Sequence, residues 1–132
     1  MTVVLDTSAV AAVVFGEPDA EVLLSVMTRS AGELSISAAT QVELGIVVEA
    51  RQGPDASEDL RALLTELRVE AVPVDADQTH AAIAAWRRFG KGRHVAGLNL
   101  GDCFSYALAK VEGAPLLFKG GDFTQTDIAS AL

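Results

Sequence analysis

The chain has 132 residues, half of them apolar, which suits one domain with an ordinary buried core. Its formal charge of −8, from 10 basic and 18 acidic residues, argues against a protein that coats DNA or RNA by bulk attraction. No run approaches the roughly 18 consecutive apolar residues of a membrane span. The one cysteine, Cys103, leaves no intrachain disulfide and speaks against a cysteine-based zinc site. The opening Met-Thr-Val-Val-Leu-Asp has neither the basic stretch nor the cleavage site of a signal peptide, so the expected setting is the cytoplasm.

In chain order, Thr2 to Leu5 is apolar and β-branched and reads as a buried strand. Asp6-Thr7-Ser8 ends it and opens a short helix toward Phe15. Glu17-Pro18-Asp19 starts the next helix, in which Ala20, Leu23, Leu24 and Met27 keep helical spacing. Leu34 to Ser37 is a second strand. A helix runs from about Ala39 to Gln52 and stops at Gly53-Pro54. The segment opened by Asp55 to Glu58 continues with an apolar stripe of Leu60, Leu63, Leu64 and Leu67.

Val69 to Val74 is a third strand, ended or placed at an edge by Pro73. Asp75-Ala-Asp-Gln78 has the form of a capping box, and the helix after it is expected to bury Ala82, Ile83, Trp86 and Phe89. Gly90 to Leu100 is a glycine-broken loop. Gly101 to Glu112 is a helix with Phe104, Ala107, Leu108 and Val111 on one face. Pro115 to Phe118 is a fourth strand, Lys119 to Asp122 a turn, and Thr126 to Ala129 a candidate last strand. Strands alternating with helices predict one α/β domain, its sheet mostly parallel and covered on both faces.

Five acids stand out, and each has a plain structural explanation beside a functional one. Asp6 closes an apolar strand, at the carboxyl edge where open parallel sheets bind ligands; Asp is also a favoured helix N-cap. Glu43 shares helical spacing with Ile46, Val47 and Ala50, which puts a charge on an apolar stripe, a costly arrangement unless it is paired or binds metal. Thr40 to Glu43 also spells a capping box, although the apolar periodicity starts the helix before Thr40. Asp102 lies in the first turn of its helix, where the helix dipole alone favours an acid. Asp122 follows a strand and two glycines. Asp127 is either an outer ligand or a surface-turn residue. Together the five supply −5 of the net charge. Two carboxylates about 4 Å apart repel by roughly 4 kcal/mol at an effective dielectric of 20. A hard cation with oxygen ligands, Mg²⁺ or Mn²⁺, would remove that cost. His80 and His94 are not spaced as a metal pair.

The order Val-Val-Leu-Asp6-Thr-Ser, then Glu43, then Gly101-Asp102-Cys-Phe-Ser-Tyr-Ala, then Leu-Leu-Phe-Lys-Gly-Gly-Asp122-Phe-Thr-Gln-Thr-Asp127-Ile resembles the PIN-domain family, and more narrowly the VapC toxins of bacterial toxin–antitoxin pairs. The resemblance implies a three-layer sandwich with a sheet of four or five strands in the order 3-2-1-4-5. Strands 1 and 4 would then bring Asp6 beside Asp122 at the topological switch point. It also implies an acidic quartet of Asp6, Glu43, Asp102 and Asp122, and Mg²⁺- or Mn²⁺-dependent cleavage of RNA such as tRNA or ribosomal RNA. A cognate VapB-type antitoxin and a homodimer are the expected partners.

The corresponding chemistry is hydrolysis by a metal-activated water, with the metal held chiefly by Asp6, Asp102 and Asp122, directly or through waters, and Glu43 either completing the outer shell or orienting a second metal. Thr7 and Ser8 are candidates to hydrogen-bond a carboxylate or the scissile phosphate. The segment Trp86 to His94 carries Arg87, Arg88, Lys91 and Arg93 without an acid, and it leads toward Asp102. Arg87, Lys91 and Arg93 are expected to guide the RNA backbone, while Trp86 and Phe89 are expected in the core. The alternatives are a phosphatase with Asp6 as nucleophile, which lacks the usual second aspartate because position 8 is Ser8, a receiver-like switch using Lys119, and a catalytically silent PIN-like binding module.

Overall fold

A computed structural model of the chain describes residues 2–132. Four short parallel strands form its sheet: β1 (Val3–Leu5), β2 (Leu34–Ser37), β3 (Glu70–Val72) and β4 (Leu116–Leu117), in the order β3-β2-β1-β4. Six α-helices connect them: α1 (Thr7–Val14), α2 (Ala20–Arg29), α3 (Ala38–Gln52), α4 (Pro54–Glu66), α5 (Ala76–Phe89) and α6 (Leu100–Glu112). Because side chains alternate along a strand, β1 serves both faces of the sheet. Val3 and Leu5 pack with α1 to α4 in one core, and Val4 packs with α5 and α6 in the other. Leu117 and Leu116 divide in the same way. The result is the expected three-layer sandwich.

The fifth strand is reduced to one parallel bridge, between Leu116 and Ser130. The chain after Asp122 first winds into a 3₁₀ turn (Phe123–Gln125). Thr126 then bonds back to the carbonyl of Phe123 and accepts from the Ile128 amide, so that pairing with β4 begins only at Ala129. The third strand is also shorter than expected, ending before Pro73.

Several expected core positions lie outside. Ile83 and Trp86 of α5 and Val111 of α6 are about half exposed, because α5 presents Ala82, Ala85 and Phe89 to α6 instead. On α3 the buried stripe is Thr40, Leu44 and Val48, which leaves Ile46 exposed and Glu43 half-buried at the margin of the core. The helix does begin before Thr40, capped by Ser37. Asp75 caps α5 through the Gln78 amide, but the Gln78 side chain donates to the Pro73 carbonyl, so no reciprocal box forms. The glycine-broken loop is tied at its base, where the Lys91 amide donates to the Leu98 carbonyl and the Leu98 amide to the Phe89 carbonyl, and His94 packs edge-on against Phe89.

Candidate active site at the carboxyl edge of the sheet

β1 is central and parallel to both neighbours, so its carboxyl end opens where β1 and β4 send their connections away. Asp6 stands there. Its amide donates to the Leu117 carbonyl at 3.0 Å, extending the strand by one residue, and its side chain caps α1. The capping reading of Asp6 is thus met, and the same geometry leaves its carboxylate at the strand-end edge. Asp6 is 3% exposed, and each of its oxygens is held. Oδ1 accepts from the Ser105 hydroxyl at 2.6 Å; Oδ2 accepts from the Ser8 hydroxyl at 2.6 Å and the Ser8 amide at 3.0 Å.

Asp102 lies in the first turn of α6, where it forms a reciprocal capping box with Asn99. Its carboxyl is pushed up to about 6, first by burial and then by the negative charges of Asp6, Asp122 and Glu43, against the lowering effect of the Asn99 amide. Four acids from four segments of the chain therefore share one electrostatic neighbourhood. Glu43 reaches it from α3 and accepts a 2.6 Å bond from the Thr7 hydroxyl. Gly101 makes room for this carboxylate: a Cβ at that position would sit 2.1 Å from Glu43 Oε2. Asp122 is carried in by the turn after β4, where Gly120 has a φ of +95° that an L side chain rarely adopts.

Of the two contacts expected of Thr7 and Ser8, a carboxylate or the scissile phosphate, the structure has the first: their hydroxyls donate to Glu43 and Asp6. Asp127 is engaged elsewhere. It is absent from the charges that act on Asp102. Its Oδ1 accepts from the Tyr106 hydroxyl at 2.7 Å, and its Oδ2 meets Lys110 at 2.9 Å and Arg88 at 3.4 Å. These bonds, with Tyr106 foremost, lower its carboxyl to about 2. Asp127 thus forms a clamp that fastens this segment to α5 and α6. Lys119 is engaged with Glu17 and Asp19, which takes it away from the receiver-like role.

The four acids suit a hard divalent cation, since all their donor atoms are carboxylate oxygens. Among the described residues, no three acidic, histidine or cysteine side chains are drawn together tightly enough to hold an ion by themselves. Cys103 is buried, and burial followed by the charge of Asp102 pushes its thiol up, away from service as a nucleophile or ligand.

In the basic segment, Arg87, Arg88, Lys91 and Arg93 are all exposed. Trp86 is not core: the Arg93 guanidinium lies over its ring at 4.6 Å from the centroid, and Arg93 also donates to the Arg87 carbonyl. Phe89 is core as expected. The residues that sequence reasoning missed are Thr40, Asn99 and Ser105. Thr40 and Ser105 are fully buried and bonded to each other at 3.1 Å. The signal in the sequence was a hydroxyl interrupting the apolar side of each helix.

The PIN domain model matches residues 3–129. The chain is 51% identical over 127 residues to Ribonuclease VapC of Mycolicibacterium smegmatis, covering 96% of this chain and 98% of that one. Its fold is similar to that of Mycobacterium tuberculosis VapC20, described as a Sarcin-Ricin loop cleaving toxin, with a TM-score of 0.79, 18% identity and 97% of each chain covered. It is similar also to a chain of VapBC2 from Rickettsia felis, solved with a promoter DNA fragment, with a TM-score of 0.78, 17% identity and coverage of 98% of this chain and 96% of that one. With four acids set around the end of β1 and a match along nearly its whole length, the chain belongs to the PIN-domain family, among its VapC ribonucleases.

Proposed function

We infer that the protein is a VapC-type toxin, an endoribonuclease that hydrolyses an RNA phosphodiester with a divalent cation held by Asp6, Asp102 and Asp122 and supported by Glu43. The observation that carries this reading is the convergence of acids from four segments: Asp6 buried at the end of β1, Glu43 against Gly101 beside Asp102, and Asp122 in the turn after β4, close enough that their charges act on Asp102. Metal-free, that arrangement is unfavourable, and a cation makes it favourable. A bound Mg²⁺ or Mn²⁺ supplies a water of lowered pKa and neutralises charge on the phosphate. The protein's part is positional. Ser8 and Ser105 fix the two oxygens of Asp6, Thr7 fixes Glu43, and Asn99 fixes Asp102. Arg87, Lys91 and Arg93 guide the RNA backbone, and their replacement by Gln should flatten the salt dependence of RNA binding by roughly 0.7 in slope for each phosphate no longer neutralised.

A VapB-type antitoxin is the cognate partner, and the cytoplasm is the setting. Among the described residues no helix is long and apolar enough to cross a membrane. The expected homodimer has a candidate surface where Ile83 and Trp86 of α5 stand exposed beside Leu100 of α6. A phosphatase with Asp6 as nucleophile is disfavoured, because Ser8 stands where the second aspartate would be and its hydroxyl donates to Asp6.

RNA ends mapped after brief expression test the reading. The unaltered protein should produce defined new ends, and Asp6→Asn and Asp102→Asn, checked by circular dichroism to be folded, should produce none. Undiminished cleavage by Asp6→Asn would remove Asp6 from the mechanism, and absence of new ends from the unaltered, folded protein would favour the silent-module reading.

A further inference from the structure

We propose that Thr40 and Ser105 are positioning residues: a buried hydroxyl relay that sets Asp6 for the cation and fixes its spacing from the other three acids. The proposal rests on the metal-dependent reading above. Ser105 donates its single proton to Asp6 Oδ1 at 2.6 Å, so at its 3.1 Å contact with Thr40 it must accept. The direction is therefore fixed, from the Thr40 hydroxyl to Ser105 to Asp6. A second relay reaches the other oxygen. The Lys119 amide donates to the Ser8 hydroxyl at 3.0 Å, and Ser8 donates to Asp6 Oδ2 at 2.6 Å. With the Ser8 amide also bound, three of the roughly four lone-pair positions of the carboxylate are filled. One remains for an ion.

The anchors of these relays are distributed in a regular way. Thr40 precedes Glu43 by three residues on α3, Ser105 follows Asp102 by three on α6, and Lys119 precedes Asp122 by three in the turn after β4. On a helix, residues three apart share a face. Each of the three other acids is thus borne by a segment that is itself fastened to Asp6 through a hydroxyl. A purely structural account predicts a loss of stability, because removing Ser105 leaves the buried Asp6 Oδ1 without its donor, and it predicts nothing specific at the metal. The relay predicts a loss at the metal.

The test is Mn²⁺ affinity of the full chain by electron paramagnetic resonance, alongside kcat and KM for cleavage of a short RNA. Ser105→Ala should weaken Mn²⁺ binding by roughly 10–100-fold, the range found for residues that orient a metal ligand. It should lower kcat with little change in KM. Thr40→Val should weaken it less, and Thr40→Ser should restore it. The double variant Ser105→Ala/Thr40→Val should bind Mn²⁺ no worse than Ser105→Ala, because Thr40 acts only through Ser105. Where Ser105→Ala fails to fold, Ser105→Cys keeps the shape with a weaker donor and gives the same readout. Unchanged Mn²⁺ affinity in folded Ser105→Ala, or independent addition of the two effects, would overturn the relay. Absence of Mn²⁺ binding by the unaltered protein would overturn the metal-site reading first, and the relay with it.

Discussion

The two ends of α6 hold carboxylates in opposite circumstances. At its amino end Asp102 sits among Asp6, Glu43 and Asp122, half-buried, and its carboxyl is pushed up to about 6. Toward its carboxyl end Asp127 is gripped by Tyr106, Lys110 and Arg88, and its carboxyl is pulled down to about 2. One helix thus separates an acid whose surroundings resist its charge from an acid whose surroundings require it. The first arrangement costs stability and is kept where a cation can offset it. The second secures the fold. Perturbation by itself does not mark function here; the direction of the shift and the identity of the neighbours do.

Gly101→Ala should separate the two ends most sharply. The added Cβ, 2.1 Å from Glu43 Oε2, must drive that carboxylate from its place beside Thr7. Cleavage should fall by roughly 10–100-fold. Stability should hold or rise, because alanine in a helix is favoured over glycine by up to about 1 kcal/mol. A thermal melt and a cleavage assay on one preparation check both halves, and full activity would show that Glu43 needs no fixed position.

Asp102→Asn should stabilise the metal-free protein. With a folded pKa above that of the unfolded chain, Asp102 binds more protons in the native state between about pH 4 and 6, so stability falls as pH rises through that window and stays low above it. Asparagine removes that loss. The variant should be more stable by about 1 kcal/mol at pH 7 in chelator, after allowance for solvent screening. The gap should close below pH 4, and added Mg²⁺ should narrow it. A destabilised variant at pH 7 would contradict the crowding of charge around Asp102.

Asp127→Asn should do the reverse, more weakly. A depressed pKa contributes stability that is present above about pH 4 and lost as pH falls toward 2. The side chain is 36% exposed, so screening limits the effect to about 0.5–1 kcal/mol at pH 7, vanishing near pH 2. RNA cleavage should survive. Its abolition in a folded variant would return Asp127 to the site.

The quartet was legible because a parallel sheet delivers strand ends to one edge, and Asp6 and Asp122 each follow an apolar strand. The layered α/β architecture followed from the same alternation. Periodicity was less informative where a stripe borders the core. Ile83, Trp86 and Ile46 keep helical spacing yet face solvent, because the neighbouring helix decides which arc of a stripe is covered. Asp127 shows the same limit for charge, since sequence spacing gave no hint that Tyr106, Lys110 and Arg88 would meet it.

Local chemistry in the chain thus determined the strands, the helices and which acids stand at element ends, since those depend on side-chain volume, capping and backbone preference over a few residues. Only packing decided that Ser105 and Thr40 bond beneath Asp6 and that Gly101 yields its space to Glu43. The hydrogen-bonded partners lie 65 and 99 positions apart in the chain, and hydrogen bonds act over about 3 Å, so their existence depends on how the layers close.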